Sequence, residues 1–155
     1  MSGSDQLQRI LFDGLDVRGV VTGLEQSYQE ILATHQYPAV IEKILGEMLA
    51  AVTLLSSNLK FDGNMILQAK GEGSVSTLMA ECNHRNECRA IAQFDDDIPA
   101  AANLLEMIGK GSLVLTIEPE KGQRYQSYVP LGKTSLAACL EDYFKLSEQL
   151  DTTVL

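Results

Sequence analysis

The hydrophobic pattern of the first 38 residues predicts a short β-ribbon followed by a helix. Two apolar segments, residues 11–12 and 17–21, are separated and closed by glycines, which is the pattern of paired short strands. From Leu24 to His35 the apolar residues recur at helical spacing, so one helix is predicted there. The Tyr-Pro pair at 37–38 ends this helix, and its proline suits the start of the next one.

The segment 39–57 carries the strongest architectural signal in the chain. Its charged residues, Glu42, Lys43 and Glu47, are confined to the first half, and the second half is apolar nearly all the way round. A helix with such a surface must be buried on most sides. It is too short and too charged at its start to span a bilayer, which takes about 20 apolar residues. The sequence therefore predicts a helix packed inside the domain.

A β-meander is predicted after the turn dipeptide Asp62-Gly63. The pattern changes there to period two and to short apolar runs, separated by glycines and by the polar stretch 83–87. The predicted strands cover residues 65–69, 75–80 and 89–94.

The last third of the chain predicts two more helices and two more strands. The helices cover residues 101–108, capped by Gly109, and about 135–146; the strands cover 113–117 and 124–129. Helices occur between blocks of strands and do not alternate with them strand by strand. This order favours an α+β fold with mainly antiparallel sheets packed with helices, one of them largely buried. With no internal boundary, residues 1–155 are predicted to form a single domain.

Composition and charge exclude several classes of protein. The formal charge of −9, with 6% aromatic residues and no Trp, disfavours nucleic acid as a partner. The N-terminus lacks a signal-peptide pattern, and no apolar run is long enough for a membrane span. Three cysteines in 155 residues do not make a secreted disulfide framework. A cytoplasmic protein without membrane contact is expected.

The cysteines allow three interpretations from the residues alone. Cys82, His84 and Cys88 lie within seven residues, and Cys139 would complete a zinc set, although the spacing lacks a Cys-x2-Cys unit. Alternatively, Cys82 and Cys88 stand opposite each other where a hairpin opens, close enough for a disulfide and a redox switch confined to one loop. Otherwise they are two semi-buried thiols at strand ends, and Cys139 is a small core residue.

No other motif indicates an active site. The glycine pairs 71/73 and 109/111 lack the residues of a phosphate cradle, and turn chemistry explains them more simply. Neither His35 nor His84 lies near a serine elbow, and nothing promotes a Cys-His nucleophile built from His35.

Several stretches, read together, resemble the redox-regulated heat-shock chaperones of the thirty-three-kilodalton chaperonin family. They occur in the family's order and cover nearly the whole chain. The matching segments are Asp5-Gln6-Leu7-x-Arg9, Val17-Arg18-Gly19, His35-x-Tyr37-Pro38, Leu59-Lys60-Phe61-Asp62-Gly63, Gln123-Arg124-Tyr125-Gln126 and Leu140-Glu141-x-Tyr143-Phe144-x-x-Ser147-Glu148-Gln149-Leu150.

The resemblance implies an ATP-independent holdase and no enzyme. Such a protein binds unfolding client proteins through apolar surface during oxidative and heat stress, and no catalytic residue is expected. It also implies a homodimer in the active state, with elements exchanged between subunits. The family's client-binding domain combines antiparallel sheets with a largely buried helix, in agreement with the pattern of residues 39–57.

The chain departs from the family in its cysteines. Family members hold zinc through Cys-x-Cys and Cys-x-x-Cys in a C-terminal domain, and these thiols form two disulfides on oxidation. Residues 1–155 contain neither motif, and Cys82, Cys88 and Cys139 match none of the four ligands. The family's zinc cysteines are therefore expected beyond Leu155. No metal, cofactor or zinc site is expected within this chain, and Cys82 and Cys88 remain its only thiol candidates for redox chemistry.

The chain also stops at Leu155 where family members continue, with Asp151 in place of a usual proline. We expect it to be the client-binding domain without its last strands, linker and zinc domain, leaving apolar surface and a strand edge unpaired. Two other functions stay open. The first is a structural dimerisation module that binds no client, and the second is a thiol enzyme that uses Cys82 or Cys88.

Overall fold

The structure is a computed structural model, and it describes residues 4–155. Its strands pair into two antiparallel sheets, and four α-helices and one π-helix complete the fold. In chain order the elements are β1 (Gln6–Leu11), β2 (Arg18–Gly23), α1 (Glu25–Leu32), α2 (Ala39–Ser56), β3 (Gly63–Gly71), β4 (Val75–Asn83), β5 (Cys88–Phe94), α3 (Leu104–Ile108), β6 (Gly111–Pro119), β7 (Tyr125–Pro130), α4 (Leu136–Tyr143) and the π-helix (Phe144–Glu148).

The main sheet has five strands in the order β5-β4-β3-β6-β7, and β1 and β2 form a separate two-stranded ribbon. Every neighbouring pair in both sheets is antiparallel. The predicted α+β class and the predicted β-meander are both confirmed.

Helix α2 covers one face of the five-stranded sheet. Leu45, Met48 and Val52 are completely buried, and they belong to one core with Leu67 and Leu78 of the sheet. The helix carries no charge after Glu47, so its second half loses no ion hydration when it is buried. The prediction of a largely buried helix is confirmed.

The register divides the five strands into a covered and an uncovered face. On the face under α2, Leu67 lies between Ala80 and Leu115. One residue along, Gln68 lies between Met79 and Val114 on the opposite face. Side chains alternate between the two faces of a strand, so every second residue of each strand points toward the core under α2.

The N-terminal ribbon is attached to the rest of the fold through polar contacts. Helix α1 has no side-chain cap of its own at Leu24, and the Asp5 carboxylate accepts hydrogen bonds from the backbone N–H groups of Gln26 (2.9 Å) and Ser27 (3.1 Å). This carboxylate therefore replaces an N-cap side chain from outside the helix. On β1, the Arg9 guanidinium donates to the carbonyl of Ser57, just after α2.

The two glycine pairs are explained by close packing as well as by turns. The backbone N–H of Gly73 donates to the carbonyl of Ile108 (2.8 Å), and Gly71 pairs with Gly111 in the register of β3 and β6. A Cβ atom on Gly71 or Gly73 would collide with the backbone at the end of α3. Gly109 ends α3 with φ +68°, as expected for a glycine at that position.

Three predicted helix boundaries are wrong. The first helix is predicted to continue to His35, but α1 ends at Leu32, because the backbone N–H of Thr34 donates to the carbonyl of Ile31 (3.2 Å) and closes a turn there. The segment predicted as a helix over 101–108 becomes helical only at Leu104, because Asn103 caps it by accepting the backbone N–H of Glu106 (2.9 Å). The last α-helix ends at Tyr143, and a π-helix follows in place of the predicted continuation to residue 146. There Tyr143 donates its hydroxyl hydrogen to Glu148 (2.9 Å), and Gln149 ends the turn with φ 53°.

Within residues 4–155, none of the helices is long and apolar enough to cross a bilayer.

Candidate functional site

Among residues 4–155, six of the exposed large apolar side chains lie on the β1–β2 ribbon and its turn. We call this group the ribbon tip, and it comprises Ile10, Leu11, Phe12, Leu15, Val17 and Val21. Leu11 is 80% exposed and Leu15 is 65% exposed. Single exposed apolar residues are ordinary on protein surfaces, whereas six large ones within residues 10–21 of one hairpin favour a binding surface.

Local backbone structure presents the ribbon tip. The register pairs Ile10 with Gly19 and Leu11 with Arg18, so the strands stay joined up to the turn. Beyond them, the N–H of Leu15 donates to the carbonyl of Phe12 (3.1 Å), and Gly14 adopts φ +76°. Because these residues close the turn on themselves, their apolar side chains project outward and have no layer to pack against.

A second apolar strip crosses the uncovered face of the main sheet. It is one register row, with one residue from each strand: Ile91, Met79, Gln68, Val114 and Tyr128. Val114 is buried by its neighbours, while Ile91 and Tyr128 are exposed on the two edge strands. The next row on this face is polar except for Ile66, and it contains the ion pair of Arg89 with Glu81. This strip is narrower than the ribbon tip and is bordered by charge.

Cys82 and Cys88 are direct register partners at the open end of the β4–β5 hairpin. Their Cα atoms are 4.2 Å apart, and their sulfur atoms are in bonding contact. Both side chains lie on the face under α2, where the hydroxyl of Thr53 is 3.7 Å from the Cys88 sulfur. The geometry matches the predicted opposition of the two thiols, and it suits a cross-strand disulfide.

The other groups of the zinc interpretation are engaged elsewhere. His84 Nδ1 accepts the backbone N–H of Gly63 (3.1 Å), and its Nε2 is 3.7 Å from Asp62. Cys139 is a free, buried thiol on α4, and burial, the largest cause, raises its pKa. In the part of the chain that the structure describes, residues 4–155, no three His, Cys, Asp or Glu side chains are placed to hold a metal ion.

The placement of the family's zinc cysteines beyond Leu155 stays a prediction. Leu155 is the last residue that the structure describes, and its side chain is exposed. The preceding residues contact α4, since the backbone N–H of Val154 donates to the Glu141 carboxylate (2.9 Å). The structure therefore reports on the domain up to this point and leaves the zinc ligands untested.

His35 lies away from the cysteine pair, in the loop before α2. Its ring packs against Tyr37 with centroids 5.5 Å apart, and its Nδ1 is 2.9 Å from the Thr34 hydroxyl. These contacts belong to the loop that joins α1 and α2. The geometry gives no support to a Cys-His nucleophile that uses His35.

Sequence reasoning missed two features of this surface. The apolar pattern of residues 11–21 predicted strands and left open which of their side chains are exposed. The anchoring role of Asp5 was also missed, although Asp5 opens the first segment of the family resemblance. No local signal predicts this contact, since 21 residues separate Asp5 from Gln26 along the chain.

Comparison with known proteins points to one family. The family model described as "Hsp33 protein" matches residues 5–155. A 33 kDa chaperonin of Pseudomonas paraeruginosa is 50% identical over 153 residues, and one of Shewanella sediminis is 47% identical over 150. These matches cover 98% and 97% of this chain but 52% of each relative, so the chain spans about half their length.

A solved structure has the same fold. It is the crystal structure of a 33 kDa chaperonin from Thermotoga maritima, which superimposes with a TM-score of 0.71 at 21% sequence identity. The superposition covers 81% of this chain and 45% of that one.

Proposed function

This chain belongs to the Hsp33 family, and we propose that it is an ATP-independent holdase that binds unfolding proteins and prevents their aggregation. The ribbon tip is the observation that carries this proposal, because six large apolar side chains of one two-stranded hairpin are exposed to solvent. Unfolding proteins expose the same kind of surface, and its burial between two chains is favourable at about 25 cal/mol per Å².

We assign client binding to the ribbon tip in preference to the strip on the main sheet. The tip holds six large apolar residues on a ribbon that has few packing restraints, so it can adapt to clients of different sequence. The strip has only two exposed apolar members, Ile91 and Tyr128, which lie at opposite edges. The formal charge of −9 keeps a protein with exposed apolar surface dispersed.

Binding by these 155 residues should need neither nucleotide nor oxidation. Residues 1–155 contain no phosphate-binding motif and none of the family's Cys-x-Cys or Cys-x-x-Cys ligands. We infer that this chain, as it stands, binds clients under reducing conditions. We attribute zinc binding and redox control in the family to its Cys-x-Cys and Cys-x-x-Cys motifs, which are not among residues 1–155.

The test is light scattering of a heat-denatured client, with dithiothreitol present and nucleotide absent. We expect suppression of scattering at equimolar ratio, and a several-fold loss of suppression in the Leu11→Ser, Leu15→Ser double variant. Leu146→Ser is the matched control, because Leu146 is 73% exposed but lies in the π-helix. No suppression by the unmodified chain would reject the holdase. Full suppression by the double variant would move client binding away from the ribbon tip.

The alternative function is a dimerisation module that binds no client. Strands β5 and β7 are the edges of the main sheet, each with one side that pairs with no other strand among residues 4–155. Such edges can pair with a second copy. Sedimentation velocity separates the two functions: a dimer whose dissociation is unchanged by an unfolded client supports the module, and a chain that co-sediments with the client supports the holdase.

A further inference from the structure

The β4–β5 hairpin holds its two cysteines ready to react with each other. Asn83 closes the loop between them: its side-chain oxygen accepts the backbone N–H groups of Arg85 (2.9 Å) and Glu87 (3.0 Å), and its amide donates to the Glu87 carboxylate (2.7 Å). Asn86 adopts φ 60°, which this tight loop requires. None of these bonds involves sulfur, so they hold Cys82 opposite Cys88 whether the thiols are reduced or oxidised.

A second attachment fixes the loop to the neighbouring strand. His84 donates its backbone N–H to the carbonyl of Gly63 (3.0 Å), and its ring accepts the N–H of Gly63 in return. The loop is therefore held by hydrogen bonds within residues 83–87 and by hydrogen bonds to Gly63 of β3. Such positioning converts the meeting of two thiols into an intramolecular event with a high effective concentration.

The two cysteines differ in their access to solvent. Cys82 is 0% exposed and lies in the core beneath α2. Cys88 is only partly buried, and it begins β5 directly after the exposed residues 85–87. Cys88 is therefore the more accessible of the two cysteines to a dissolved oxidant.

We propose that Cys82 and Cys88 are a reversible oxidation site for peroxides, in which Cys88 reacts first and Cys82 resolves the product. The Cys88 thiol loses its proton, and its sulfur attacks one oxygen of hydrogen peroxide. The O–O bond breaks, the departing hydroxide takes up that proton, and Cys88 sulfenic acid and one water form. The Cys82 sulfur then attacks the Cys88 sulfur, the S–O bond breaks, and hydroxide leaves with the Cys82 proton as a second water. Two thiols and one peroxide give one disulfide and two waters.

This site is separate from the family's zinc-binding cysteines, none of which lies in residues 1–155. The test of this site also does not depend on client binding, because disulfide formation changes the mass of the chain and is detected by mass spectrometry. The new bond would close the mouth of the hairpin against α2, next to Thr53. Its expected structural effect is slower hydrogen exchange at the end of β4 and the start of β5.

The experiment uses peptide mass spectrometry on the reduced chain after treatment with hydrogen peroxide. We expect loss of two hydrogens, one peptide pair joined through Cys82 and Cys88, and recovery of both thiols with dithiothreitol. Cys82→Ser should stop at a Cys88 sulfenic acid that a 1,3-diketone probe captures. In Cys88→Ser, oxidation of Cys82 should be about tenfold slower or more, since buried thiols are inert. Cys139→Ala should behave as the unmodified chain.

Alkylation of the unmodified, reduced chain provides a measurement that needs no variant. Iodoacetamide should modify Cys88 well before Cys82. Equal rates at the two cysteines, or a Cys88→Ser variant that oxidises as fast as the unmodified chain, would overturn the order of reaction. Disulfides formed only between chains, or no disulfide at peroxide levels that oxidise a free thiol peptide, would overturn the site. Failure of the holdase assay affects none of these outcomes.

Discussion

The β1–β2 ribbon and the five-stranded sheet are built from the same kind of strand, yet they use their apolar residues in opposite ways. In the sheet, Leu67 is 0% exposed because α2 covers it, and in the ribbon, Leu11 has no covering layer. A two-stranded ribbon is marginally stable by itself, and this one is attached at Asp5 and Arg9 by polar contacts. The difference shows that an apolar strand pattern indicates a core only where a second layer covers it.

The largest expected effect comes from the same substitution made in the two regions. Leu67→Ala removes a side chain packed under α2 and should lower the free energy of unfolding by about 2–5 kcal/mol. Leu11→Ala removes an exposed side chain and should change it by about 0.5 kcal/mol or less. Urea denaturation followed by circular dichroism measures both. A loss of similar size in the two variants would mean that the ribbon tip is packed in solution and is not free for clients.

A smaller effect is expected at the attachment of the ribbon. Asp5→Ala removes the acceptor for two backbone N–H groups of α1, at a cost of about 1–2 kcal/mol, as for loss of a helix N-cap. Hydrogen exchange at Gln26 and Ser27 should accelerate. Asp13→Ala is the control, because Asp13 is exposed in the ribbon turn. Unchanged exchange in Asp5→Ala would show that packing, and not the carboxylate, holds the ribbon to α1.

The smallest expected effect concerns the ionisation of Tyr143, a buried residue of α4 that belongs to the core on the covered face of the sheet. Burial, and then the hydrogen bond to Glu148, raise the pKa of Tyr143 above its ordinary value of 10.0. Above about pH 10 the unfolded chain loses the Tyr143 proton, whereas the folded state keeps it. The contribution of Tyr143 to the free energy of unfolding is therefore complete below about pH 10 and decreases above it. The loss should reach roughly 1 kcal/mol at about pH 10.5.

Tyr143→Phe should make the free energy of unfolding decrease less steeply between about pH 9.5 and 10.5. The remaining slope comes in part from Cys139 and Tyr28, whose pKa values burial also raises. Identical pH profiles for the variant and the unmodified chain would show that Tyr143 ionises freely, and hence that α4 and the π-helix open at this pH.

Much of the fold could be predicted because its signals are local. Apolar residues on nearly all sides of its second half predict the helix at 39–57. The polar turn residues at 83–87 predict the hairpin. Hairpin spacing allowed Cys82 to lie opposite Cys88 as one of three open interpretations, and the register shows that it does. The end of α4 could not be predicted, because residues 144–148 contain no Gly or Pro that would mark a helix end. The wider turn is accompanied by a contact between residues five apart, Tyr143 and Glu148.

The candidate site was only partly predictable. Residues 11–21 predicted apolar strands but not their exposure, because a core residue and a client-binding residue have the same chemistry. The same holds for the row of Met79, Val114 and Tyr128, which exists only once four registers are set. Exposure depends on which layer covers a strand, and that layer comes from a distant part of the chain.

The sequence by itself determined the α+β class, the buried helix and the family, since each depends on spacing along a few residues or on ordered short motifs. Only the tertiary structure decided which apolar residues lie in the core and which form the ribbon tip. It also decided that Asp5 caps α1, that Cys82 pairs with Cys88, and that Cys88 is the less buried of the two cysteines. These properties depend on contacts between segments far apart in sequence, where periodicity carries no information.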